Sequence, residues 1–223
     1  MATRPYTGPT GLTFTDSAIH IEGYPDAERV GLLQTKLAKR LADLRTHQSA
    51  LTFCEQVVQE LPKILEQSPT IARASAIGLV ATYFSCFGDN QASAPLSYKR
   101  VFKGLADAQT AFRYWKAVRD KHMIHNESAY DHSSTLVALG PNAEVQDIIS
   151  IKLTPNLLLD SSHIESFSQL IPHTLKFVGA EIDNLLPRAF EEVRGMTIAE
   201  RNALPTATYT APTIEKAFET RSG

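Results

Sequence analysis

Apolar residues recur along this chain at spacings that read mainly as helix. From Asp26, a natural helix cap, Val30, Leu33, Leu37, Leu41 and Leu44 follow steps of three and four and so share one helical stripe. A second stripe, Leu51, Cys54, Val57, Val58, Leu61 and Leu65, continues this helix or restarts it, and Pro62 is expected to kink or end it. Ser68-Pro69 is a favoured helix-opening pair, because proline's fixed φ suits the first turn and its missing N–H is not needed there. The run Ile71 to Phe87 is apolar nearly all the way round, as in a central buried helix, and Gly88-Asp89-Asn90 closes it. A fourth helix is predicted over roughly Tyr98 to His122, with Val101, Leu105, Ala108, Phe112, Trp115 and Val118 on one face.

The period then changes. Thr135 to Leu139 and Val145 to Leu153 are β-branched and apolar, Ile149, Ile151 and Leu153 alternate with Ser150 and Lys152, and Gly140-Pro141-Asn142 separates the runs. This pattern predicts a β-hairpin. Ser162 with Glu165 spells a capping box, followed by a long stripe from Ile164 through Phe167, Ile171, Leu175, Val178, Ile182, Leu185 and Phe190 to Val193, with bends expected at Pro172 and Pro187. Leu12 to Phe14 and Ala18 to Ile21 suit short strands in a proline- and glycine-punctuated arm. Beyond Gly195 no stripe is evident, and the tail reads as partly mobile.

The predicted fold class is therefore mainly α: a bundle of four to five helices carrying an appended β-hairpin at about 135–153. The predicted organisation is an arm over 1–25, the bundle over 26–194 and a tail over 195–223.

Composition narrows the function only after the charge is divided by segment. The 223 residues are 43% hydrophobic, enough for one substantial core, and the net charge of −2 excludes a polycation built to coat nucleic acid. Two cysteines, Cys54 and Cys86, do not make a disulfide scaffold and read as buried, reduced thiols. The longest uncharged apolar stretch, Ala74 to about Phe87, is too short to span a bilayer, and no cationic-then-apolar leader opens the chain, so a soluble cytoplasmic protein is expected. Within residues 99–121, however, Lys99, Arg100, Lys103, Arg113, Lys116, Arg119 and Lys121 face only Asp107 and Asp120, a net +5 that leaves about −7 for the rest. A basic helix on an acidic body suits a phosphate-bearing ligand.

This helix runs into Arg119-Asp120-Lys121-His122-Met123-Ile124-His125-Asn126-Glu127. Arginine is a permanent bidentate phosphate clamp, and histidine exchanges a proton near neutral pH. Together they suffice for RNA cleavage without a metal: a histidine removes the 2′-hydroxyl proton for in-line attack on phosphorus, and the arginine stabilises charge on the phosphate oxygens. On a continuous helix Arg119 and His122 share a face, whereas His125 lies about 120° round. Convergence of Arg119 with His125 therefore requires the helix to unwind after about His122. Arg40 and His47 have a similar spacing and read as an accident on an exposed helix face. His122, His125, Glu127, Asp131 and His132 read as polar surface rather than metal ligands. Trp115 reads as core rather than a base-stacking platform.

The segment resembles the HEPN superfamily (higher eukaryotes and prokaryotes nucleotide-binding domains), whose motif is an arginine, four to six residues, then a histidine, often with a polar residue directly after the arginine. Arg119, Asp120 and His125 match, with five residues between arginine and histidine. The run looks especially like the abortive-infection and toxin-like branches, where a β-hairpin follows. The resemblance rests on about a dozen residues and on the architecture over about 30–194. It implies a helical bundle, a homodimer with two motifs facing one cleft, and a metal-independent endoribonuclease without cofactor, acting as a toxin or phage-defence component. Products ending in 2′,3′-cyclic phosphate and a small nucleotidyltransferase-like antitoxin as partner are also implied. In that reading Arg119 clamps the phosphate, His125 is the acid or base, and Asp120 orients one of them. His122 and Asn126 are auxiliary, while Arg113, Lys116 and Lys121 draw in the RNA backbone. Two other readings stay open: a non-catalytic HEPN-like module holding a nucleotide or a protein, and a plain helical interaction protein.

Overall fold

The structure, a computed structural model, describes residues 12–15, 18–21, 29–88, 93–124, 132–153 and 161–207, with side chains over 29–88, 93–121, 134–151 and 164–207. It is mainly helical. Strands β1 (Leu12–Thr15) and β2 (Ala18–Ile21) pair antiparallel, and helices α1 (Lys36–Gln67) and α2 (Pro69–Ser85) follow. Next come α3 (Tyr98–Val101), α4 (Ala106–Val118), a π-helical segment over Arg119–Ile124, and the antiparallel pair β3 (His132–Leu139) and β4 (Val145–Leu153). Helices α5 (Ser161–Gly195) and α6 (Ile198–Asn202) come last among the described residues. The chain divides into two units: Met1–Leu44 with Glu181–Gly223, and Arg45–Ala180.

The larger unit, Arg45–Ala180, holds the candidate site, and an aromatic core sets it. Phe112 of α4 lies 4.7 Å from Phe87 and stacks on Tyr98 at 4.9 Å and 6°. Trp115 is 2% exposed, its ring 4.7 Å from Phe167 and its Nε1 donating to Ser166 Oγ at 3.1 Å. That bond satisfies the one polar atom of a buried indole. Tyr83 and Thr174 share a buried hydroxyl contact at 3.1 Å, and Thr174 Oγ1 also donates to the Leu170 carbonyl at 2.8 Å. Both cysteines are free and buried, and loss of hydration pushes each thiol up to about 12.

Helix α2 opens as the Ser68-Pro69 pair predicts, with the Ser68 hydroxyl accepting the Ile71 N–H at 3.4 Å. It is not surrounded. Ala72, Ala76, Leu79, Val80, Tyr83 and Phe84 are buried, whereas Ile71 is 59% exposed, and Ala74, Gly78 and Ala81 also face outward. Ala74, Gly78 and Ala81 are small and lose little by facing water, while Ile71 and Ile77 leave larger apolar area exposed on the same helix.

The helix predicted from Tyr98 to His122 is broken. Gly104 adopts φ +81°, a left-handed conformation that L side chains rarely take, and it separates α3 from α4. The Phe102 carbonyl freed at this break accepts the Leu105 N–H at 3.1 Å and the Gln109 side-chain amide at 2.8 Å.

The predicted hairpin is present, with register running from His132↔Leu153 to Leu139↔Val145 and a bulge between Ala138 and Leu139. Asn142 and Ala143 take positive φ, 64° and 61°, at its tip. Leu136 pairs with Ile149 on one face and Val137 with Ile148 on the other, and all four are exposed.

In the smaller unit, α1 begins at Lys36 rather than near Asp26, which itself lies outside the described residues. The Thr35 hydroxyl caps it by accepting the Ala38 N–H at 3.2 Å. Residues 30–32 are extended instead, because a distant segment supplies their partners: the Ala207 N–H donates to the Val30 carbonyl at 2.8 Å and the Leu32 N–H to the Pro205 carbonyl at 2.6 Å. The Arg29 guanidinium caps the end of α6, donating to the Asn202, Arg201 and Leu204 carbonyls at 2.9–3.1 Å. Residues 201–207 of the tail therefore have defined partners in residues 29–32, while residues 208–223 lie outside the described residues. Thr197 and Glu200 form a capping box whose Thr-x-x-Glu signature was present in the sequence.

Helix α1 continues through Pro62 to Gln67, and α5 runs through Pro172 and Pro187. Helix α1 therefore does not end at Pro62, one of the two outcomes expected there. The Ser162 side chain lies outside the described residues.

Candidate functional site

Helix α4 is amphipathic, burying Phe112, Trp115 and Val118 while Arg113 and Lys116 stay exposed. At Arg119 the winding changes to a π-helix of six residues, which replaces i→i+4 with i→i+5 bonding. The expectation of a regular helix to about His122 is corrected here: the helix widens from Arg119 onward. One π turn on from Arg119 falls between Met123 and Ile124, so the backbone position of His122 no longer shares a face with Arg119 as it would in an α-helix.

The Arg119 side chain is 19% exposed, with its guanidinium carbon 5.6 Å from the Phe84 ring centroid of α2. Cation–π contact and apolar packing fix the side chain there. Its Nε donates to Asp120 Oδ1 at 2.7 Å, and Nη2 reaches the same oxygen. Lys116, one turn back, donates from Nζ to Asp120 Oδ2 at 2.7 Å. Partial desolvation pushes the Asp120 carboxyl up, but the hydrogen bonds and charges of Lys116 and Arg119 outweigh it and hold Asp120 below the ordinary aspartate value. The three residues form a cation–anion–cation triad on the outer edge of the aromatic core.

The structure thus brings together Lys116, Arg119 and Asp120. Arg113 turns back along its own helix, Nε to the Gln109 carbonyl and Nη2 to Thr110 Oγ1, both at 3.3 Å. Lys121 is exposed. His122 is placed by its backbone alone, and His125 and Asn126 lie outside the described residues, as do Glu127 and Asp131. Among the described residues no group of three His, Cys, Asp or Glu side chains is placed to hold a metal, and no helix is long and apolar enough to cross a membrane. His47 is 2% exposed, not on an exposed face, and its Nε2 lies 3.0 Å from the Ala94 carbonyl. Its role is to tie α1 to the segment before α3. The contact between Arg119 and Phe84 was not visible in the sequence, since 35 positions separate them and no local spacing links α2 to α4.

No protein-family model, no curated protein and no solved structure matches this chain.

Proposed function

We propose that this chain is an HEPN-type, metal-independent endoribonuclease, active in the cytoplasm as a toxin or phage-defence component. The observation that carries the reading is the placement of Arg119. Its guanidinium is positioned by Phe84 and Asp120 at the start of a π-helical segment, and the motif histidine follows in sequence. Held arginines stabilise charge on phosphate oxygens at little entropic cost, and π segments recur at functional sites. In this mechanism Arg119 clamps the scissile phosphate, and His125 takes the 2′-hydroxyl proton or protonates the leaving oxygen. Asp120 orients Arg119, and Lys116 and Lys121 attract the RNA backbone. The same reading takes the working form as a homodimer and the partner as a nucleotidyltransferase-like antitoxin.

The test is cleavage of a mixed-sequence RNA by the full chain in excess EDTA. The wild type is expected to cleave, and His125→Ala to lose about 10²–10⁴-fold, the range for a general acid or base. Arg119→Lys, which keeps the charge but removes the fork, is expected to lose activity as well. Full activity of His125→Ala overturns the assignment of that histidine.

One observation favours a second reading, a non-catalytic module of the same fold that holds a nucleotide or a protein. Two donors of Arg119 already point at Asp120, so an incoming phosphate competes with an internal carboxylate. Nucleotide binding by a chain that leaves RNA intact decides for it.

A further inference from the structure

A concavity in the larger unit, of about 610 Å³, lies between the start of α4 and the first turns of α5. That volume accommodates a small organic ligand. Its formation follows from the break described above. Gly104 turns the chain, and Ala108 and Ala111 leave the adjoining face of α4 without bulk. Leu170, 2% exposed, forms the apolar floor.

The rim is acidic. Asp107 of α4 and Glu165 of α5 line the groove, no lysine or arginine does, and among the described residues neither carboxylate has an ion-pair partner. This contrasts with Asp120, which two cations share in the same +5 segment. Gln169, one turn beyond Glu165, adds a neutral donor and acceptor, and His173 closes the far end with its ring stacked on Phe102 at 6.0 Å.

We propose that this groove binds a small organic cation, an alkylammonium or alkylguanidinium, with its charged head between Asp107 and Glu165 and its methylenes on Ala108, Ala111 and Leu170. Apolar walls alone would accept any short hydrocarbon. The two carboxylates favour the cation, because an ammonium or guanidinium adds Coulomb attraction to the hydrogen bonds that a neutral donor could also make with them. The site is separate from the Arg119 triad and does not depend on the nuclease reading.

The experiment is isothermal titration of the full chain with 1,4-diaminobutane and with agmatine, using n-butanol as the uncharged control. Saturable binding of at least one amine, none of butanol, and a loss of about tenfold or more in Asp107→Asn/Glu165→Gln is expected. Both substitutions are at exposed positions, and circular dichroism checks that the variant folds. Ala108→Trp, which fills the groove without touching the charges, is expected to abolish binding. Absence of saturable binding by both amines at millimolar concentration overturns the proposal, as does unchanged affinity in the folded double variant.

Discussion

The Asp120 carboxylate and the Arg119 guanidinium are neighbours in sequence and partners in space, with Nε 2.7 Å from Oδ1, while Lys116 takes the second oxygen at the same distance. The pairing lowers the folded-state value of Asp120 below its ordinary 3.8. Its stabilising contribution is therefore fully present above about pH 4 and is lost as pH falls through the depressed folded value. The Asp120 side chain is 35% exposed, so solvent screens the interaction. Asp120→Asn is expected to cost only about 0.5–1 kcal/mol at pH 7, and the gap between variant and wild type should close in acid. Urea denaturation at pH 7 and below pH 3 measures both. The same substitution removes the group that orients Arg119 in the proposed mechanism, so RNA cleavage should fall; tighter RNA binding without cleavage would favour the non-catalytic module instead.

Trp115 separates packing from recognition. Its burial and its bond to Ser166 assign it to the core. Trp115→Ala is expected to destabilise the fold by about 3–5 kcal/mol. Trp115→Phe, which loses the Ser166 bond and some volume, should cost about 1–3 kcal/mol. Thermal denaturation orders the two. The wild-type tryptophan emission maximum should also stay blue-shifted and unchanged on adding RNA, since no base can reach the ring.

Two positive-φ positions make opposite predictions. Gly104→Ala puts a Cβ where the backbone is left-handed, at a cost of about 1–2 kcal/mol, although nothing lies within 4 Å of the new atom. Ala143 already bears such a Cβ at φ 61°, so Ala143→Gly is expected to relieve about 1 kcal/mol of strain, less the added flexibility of the unfolded chain. A pair of melting curves tests the contrast, and stabilisation by Gly104→Ala would contradict the turn geometry.

What could be read from the sequence depended on whether the deciding contact was local. Ser68-Pro69, the β3–β4 hairpin and the mainly helical class rest on neighbours within a few residues, and all are present. The start of α1 was misplaced because Val30 and Leu33 match a helical stripe by spacing, while the partners that hold residues 30–32 extended sit near residue 205. Pro62 carried a strong local signal, yet the helix runs on past it, packed through Leu61 and Leu65 against Ala72, Ala76 and Ile164. At the candidate site the arginine, the acid and the preceding lysine were legible as a cluster. Their geometry was not, because the Phe84 ring beside Arg119 comes from α2 and no local spacing marked the change to π winding.

The closure of residues 29–32 onto 201–207 also fixes an order of events. The hydrogen bonds from Arg29 to Arg201, Asn202 and Leu204 join positions 172–175 apart in the chain. During synthesis on the ribosome the aromatic core between Arg45 and Ala180 can assemble as soon as Ala180 has emerged. The Arg29 guanidinium and the Val30 carbonyl must wait, solvated, for some 25 residues more. Local contacts form before long loops close, so this N-terminal strap is the last part of the described chain to dock.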